Sequence, residues 1–114
     1  MQDKQVHWPA FVKYAGDSEL TFVSDGEQWR NDADLSGHEY EQDDCMVDSV
    51  GTVFTLPKND AGAIVPFKGE DCLSLVQVVN LLREHFSSIG ECCVSKIAPR
   101  SISEGITMLE SPQN

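Results

Sequence analysis

Residues 75 to 88 carry the pattern that most restricts what this chain can become. Leu75, Val78, Val79, Leu82, Phe86 and Ile89 recur at helical spacing, and Gln77, Asn80, Glu84 and Ser87 fall on the opposite side. A helix with one apolar stripe needs a surface to bury that stripe against. Its ends are marked as well. Ser74 and Gln77 stand in the spacing of a capping box, and Gly90 is a suitable terminator. The spacing predicts a helix from about Leu75 to Ser88.

The surface it needs is offered by short strand-like runs. Residues 10–14 and 19–23 read as strands on either side of Gly16-Asp17-Ser18, whose turn chemistry predicts a hairpin. Trp8-Pro9 precedes it, where a proline suits a strand start because it cannot donate to a ladder. Residues 45–48 and 52–56 predict a second hairpin around Ser49-Val50-Gly51, with glycine supplying a positive φ. After a turn at 58–62, residues 63–67 read as a short edge strand, and Cys92 to Ile97 as another strand ended by Pro99.

Two shorter helices complete the pattern. Ser24 or Asp25 starts one that reaches about Asn31, with Trp29 as its buried anchor. Ser101 and Glu104 repeat the capping spacing before Ile102, Ile106 and Leu109, although Gly105 weakens that helix. Residues 32–43 read as a polar loop tethered by Leu35 and Tyr40, and 111–114 as a frayed tail. The expected fold is α+β and a single domain over 1–114. It has a mostly antiparallel sheet of two hairpins plus short strands, with one long and two short helices packed on one face.

Charge narrows the partners. Nineteen acids face eight bases, for a net charge of −11 over 114 residues. Such a surface repels phosphate backbones, so nucleic acid is not an expected partner. The acids concentrate in 25–48, where Asp25, Glu27, Asp32, Asp34, Glu39, Glu41, Asp43, Asp44 and Asp48 are opposed only by Arg30. Another protein, one with a basic surface, is the expected partner. No apolar run is long enough to span a bilayer and no signal core opens the sequence, so a cytoplasmic, membrane-free setting is expected. Cys45, Cys72, Cys92 and Cys93 are then expected as reduced, mostly buried thiols, with Cys92 and Cys93 on opposite faces of one strand.

Each candidate chemical site has a plainer structural reading. Asp32, Asp34, Ser36 and Asp43, with Gly37 at the sharp turn, partly match a twelve-residue calcium loop. Glu39 stands where that loop is apolar, and strand rather than helix follows, so a solvated acidic loop is the expected reading. His85 with nearby serines and acids lacks any nucleophile motif. It reads as a helix C-terminal histidine flanking the core, where the helix dipole favours a cation. Asp43, Asp44 and Asp48 could pair as carboxylates, although an aspartate before a turn commonly accepts from its own backbone. Asp32, Asp34, Glu39 and Glu41 are the expected partner-binding residues. No catalytic, cofactor-binding or metal-binding residue is expected.

Trp8-Pro9, Gly16-Asp17-Ser18-Glu19-Leu20, Asp48-Ser49-x-Gly51, the helix end Leu81 to Gly90 and Cys92-Cys93-x-x-Lys96 together resemble a family of small uncharacterised proteobacterial proteins of unknown function. The resemblance implies a bacterial cytoplasmic setting and one compact domain, and it brings no activity, cofactor or catalytic residue. The function expected from the residues is a small acidic, non-enzymatic protein-interaction module. The alternatives are a calcium- or metal-responsive domain and a small enzyme without a recognisable motif.

Overall fold

The computed structural model describes residues 6–58, 60–90 and 94–110. Its centre is a five-stranded antiparallel sheet. The strands are β1 (Ala10–Lys13), β2 (Leu20–Val23), β3 (Cys45–Val47), β4 (Thr52–Thr55) and β5 (Phe67–Cys72). Their spatial order is β2-β1-β3-β4-β5. The expected hairpins are both present. Phe11 lies opposite Phe22, and Met46 opposite Phe54, while Phe11 also faces Val47 and so joins the two hairpins. Gly51 turns the second hairpin at φ +89°, and a Cβ there would collide with the Leu73 carbonyl, so glycine is required twice over.

Alternation along these strands builds two cores. Ala10, Val12, Val23, Met46 and Phe54 enter one with Trp29, Leu35, Leu56 and Ile64. Phe11, Leu20 and Val47 enter the other with Val78, Leu82, Phe86 and Ile106. The sheet is therefore covered on both faces, a correction to the single helix-covered face expected from sequence. The reason lies in β1 to β4, whose alternate positions are apolar on both sides and so demand two layers.

The first layer comes from the segment between the hairpins. Helix α1 (Gly26–Asn31) is capped by Asp25, whose carboxylate accepts from the Gln28 N–H at 2.8 Å. Trp29 is its buried anchor, as expected, and donates from Nε1 to the Ile64 carbonyl at 2.9 Å. Residues 33–36 form a single helical turn, α2 (Ala33–Ser36), where a loop was expected. Asp32 caps it by accepting from the Asp34 N–H at 2.9 Å, and buried Leu35 pins it to the sheet.

Helix α3 (Leu75–Ser88) and helix α4 (Ile102–Thr107) form the second layer. The Ser74–Gln77 capping box closes as expected. Val78, Leu82 and Phe86 are buried, whereas Leu75 and Val79 are only half-buried because the stripe meets the sheet along its 78–82–86 side. Gly105 has a packing role: a Cβ there would lie 2.8 Å from Leu82 Cδ1, so α4 can approach α3 closely.

Two expected strands are corrected. Residues 63–66 form only an isolated bridge from Ile64 to Lys58, and the edge strand begins at Phe67. Pro66 has no N–H to give a ladder, which delays the start. Val94–Lys96 is a 3-10 turn, α3 holding the segment through Arg83 Nη2, which donates to the Ile97 carbonyl at 3.0 Å. The expected strand therefore does not form over these residues. Cys92 and Cys93, and the expected tail at 111–114, lie outside the described residues.

Candidate functional site

The acids of 25–48 divide into two groups. Asp25 and Asp32 cap α1 and α2. Asp44 is buried and accepts from the Ala15 N–H at 2.6 Å and the Glu41 N–H at 2.7 Å. Asp48 is fully buried and closes its own turn, accepting from Val50 and Thr52 N–H groups at 3.1 and 2.9 Å. It also takes the His7 N–H at 3.0 Å, with His7 Nδ1 3.4 Å away. Ser49 completes the clamp, its N–H donating to the His7 carbonyl and its hydroxyl to the Pro9 carbonyl at 2.7 Å. Trp8-Pro9 and Asp48-Ser49-x-Gly51, far apart in sequence, thus form one structural unit.

Glu27, Asp34, Glu39, Glu41 and Asp43 remain exposed. Of the four expected partner-binding residues, Asp34, Glu39 and Glu41 are available, whereas Asp32 is half-buried and occupied as a cap. The calcium-like set is not shaped as a loop. Asp32 and Asp34 flank the start of a helical turn, and Ser36 Oγ donates to the Arg30 and Asp32 carbonyls, each at 3.3 Å. Among the described residues no group of three or more His, Cys, Asp or Glu is placed to hold a metal ion.

Between these acids lies a feature that sequence reading did not find. Tyr14, at the end of β1, stacks on Tyr40 at 5.8 Å, and His38 meets both rings edge-on at 5.6 and 4.7 Å. Buried Trp29 backs Tyr40 at 6.1 Å. The Tyr40 hydroxyl donates to the Leu35 carbonyl at 2.8 Å. Burial, then Tyr14, Asp44 and Asp32, push this phenol well above its ordinary range, so Tyr40 stays neutral. His38 is exposed and the two tyrosines are half-buried, so the cluster faces solvent with Glu39 and Glu41 on either side of Tyr40 in the chain.

On the other side of the sheet a groove of about 490 Å³ opens between the start of α3 and strands β3 to β5. Cys45, Val47, Val53, Leu73 and Leu81 give it an apolar lining, and Lys13, Asp71 and Gln77 its polar positions. Burial pushes the Cys45 thiol up, against the opposing pull of Lys13. Cys72 also lines the groove but is exposed, unlike the buried thiol expected. The two thiols stand two strands apart, about 10 Å laterally, beyond the reach of a disulfide.

His85 belongs to the framework. It is buried, and its Nδ1 accepts from the Leu20 N–H at 2.8 Å. Among the described residues no helix is long and apolar enough to cross a membrane.

No curated protein matches the chain. A solved structure, the NMR structure of a protein from Shewanella amazonensis, is similar over 100% of this chain and 96% of its own, with 26% identity and a TM-score of 0.71. A family model described as a protein structure with unknown function matches residues 8–109. The match spans both hairpins, the aromatic cluster and both helical layers, and the chain belongs to this family, DUF4144.

Proposed function

We propose that this chain is a small, non-enzymatic protein-interaction module of the cytoplasm that binds a basic partner through its 34–43 surface. The observation that supports this reading is the solvent-facing cluster of Tyr14, His38 and Tyr40 set among exposed Asp34, Glu39 and Glu41. Tyrosines offer large, rigid contact area, and the carboxylates add long-range attraction. Buried Asp44 and Asp48, which follow this surface in the chain, are engaged by backbone N–H groups, which supports a structural role for them rather than acid–base chemistry.

The test is a pull-down with the parent chain and with the triple variant Asp34→Asn, Glu39→Gln, Glu41→Gln, each at low and high salt. Asp32 is left intact because it caps α2. A partner held by the parent at low salt, and released both by the substitutions and by salt, is the expected result. Identical partners in all four conditions would sink the proposal.

A further inference from the structure

We infer that the His85 side chain is an acid-released guard on the free edge of β2: neutral, it closes that edge, and protonated, it swings out to water and leaves the edge open. The inference does not rest on the reading of the acidic surface.

β2 ends the sheet on the side away from β5. Along an antiparallel strand, alternate residues give their N–H groups to the neighbouring strand and the others turn outward. Leu20 turns outward, since its N–H goes to His85 Nδ1 at 2.8 Å and not to β1. Just past the other end of the strand, Ser24 gives its N–H to Gln28 Oε1 at 2.6 Å and its hydroxyl to the same oxygen at 2.8 Å. Each helical layer thus stops one end of the edge, α1 through Gln28 and α3 through His85. Between the two stops only Phe22 turns outward, too short a run to accept another strand. Freeing Leu20 would leave two outward residues in succession, Leu20 and Phe22.

The two stops differ in chemistry. The Gln28 amide accepts at any pH, whereas an imidazole gains a proton in mild acid. A backbone N–H can only donate, so Nδ1 of His85 accepts and the single ring hydrogen sits on Nε2. A second proton would turn Nδ1 into a donor aimed at a donor, in a site with little water to screen it. The remedy is close at hand, because His85 is 9% exposed and already reaches the solvent boundary. A change of rotamer can take the ring out while Leu20 and Phe86 keep their places in the core.

The surroundings favour the neutral form in place. The Phe86 ring meets the imidazole edge-on at 4.9 Å and carries no charge. Glu19, directly before β2, favours protonation, and among the described residues no other charged group shifts the ring. Burial outweighs Glu19 and holds His85 below its ordinary 6.5.

Amide hydrogen exchange of the full chain, followed by NMR from about pH 7.5 to about pH 5.5 and corrected for intrinsic rates, tests this. Leu20 should exchange by the local motion, ahead of Phe11 and Val12 inside the sheet. Its corrected rate should rise as pH falls below about 6.5, by up to about tenfold per pH unit. His85→Gln, which offers an acceptor that does not titrate, should abolish the rise. Glu19→Gln, at an exposed position, should keep it in full, because the carboxylate is not the titrating group. Leu20 exchanging only as fast as Phe11 and Val12 at every pH would mean the edge opens by unfolding alone, and overturns the inference. A rise that survives His85→Gln, or one that vanishes in Glu19→Gln, overturns it as well.

Discussion

The imidazole of His85 accepts the Leu20 N–H at 2.8 Å, and so ties α3 to the first residue of β2. An acceptor nitrogen must be unprotonated. Burial lowers the pKa below its ordinary 6.5, with the Glu19 carboxylate pulling the other way. The sequence position favoured a cation through the helix dipole, and desolvation reverses that preference. The sign for stability follows from linkage. Below about 6.5 the unfolded chain takes up a proton that the folded chain resists, so this contribution is complete above that pH. It is lost as pH falls through the lower folded value. Chemical denaturation between about pH 7.5 and about pH 5.5 should show stability falling with acid, and His85→Gln should flatten that slope. An NMR titration of the His85 ring should have a midpoint below 6.5. An unchanged slope in the variant, or a midpoint at or above the ordinary value, would refute the assignment.

At the scale of elements, α3 shows how far periodicity carries. Its limits, capping box and general stripe were all readable, because they depend on residues within one or two turns. The direction from which the sheet approaches was not. Leu82 and Val78 are fully buried, while Val79, on the same apparent stripe, is half-buried. Leu82→Ala should therefore lower stability by about 2–5 kcal/mol, since Leu82 also fills the gap left by Gly105. Val79→Ala should lower it by less, about 1 kcal/mol, because it removes less apolar surface and part of that surface already meets water. Urea unfolding of the two variants checks this, and equal losses would mean the helix face is rotated from its assigned position. β5 shows the opposite case. Phe-Lys-Gly-Glu-Asp-Cys has no apolar alternation, because an end strand with both faces largely exposed has no core to match. Only pairing with β4 makes it a strand, and such pairing leaves no local trace. The candidate site was legible to the same degree. Its charge showed in composition, but the contact of Tyr14 with Tyr40 spans 26 residues and depends on the tertiary fold.

Across the whole molecule the charge of −11 outweighs any single contact in setting how the protein responds to salt. It is concentrated where α1, α2 and the following loop cover one face of the sheet. Exposed Glu39 stands 4.0 Å from Lys58, a separation at which a surface pair contributes little. Asp44 and Asp48 gain from backbone donors, so salt has little hold on them. The exposed acids are different, since they repel one another across water. The molecule is about 24 Å wide. At about 10 mM salt the screening length is about 30 Å, so repulsion spans that width, whereas at about 150 mM it falls to about 8 Å and acts only between neighbours. Added sodium chloride should therefore raise the melting temperature, measured in dilute protein so that self-association does not contribute. The triple variant Asp34→Asn, Glu39→Gln, Glu41→Gln should melt higher than the parent at low salt and gain less from its addition, because part of the repulsion is already gone. A melting temperature that is flat or falls with salt in the parent would mean the acids are locally compensated. The 34–43 surface would then lack the unbalanced field that its proposed attraction for a basic partner requires.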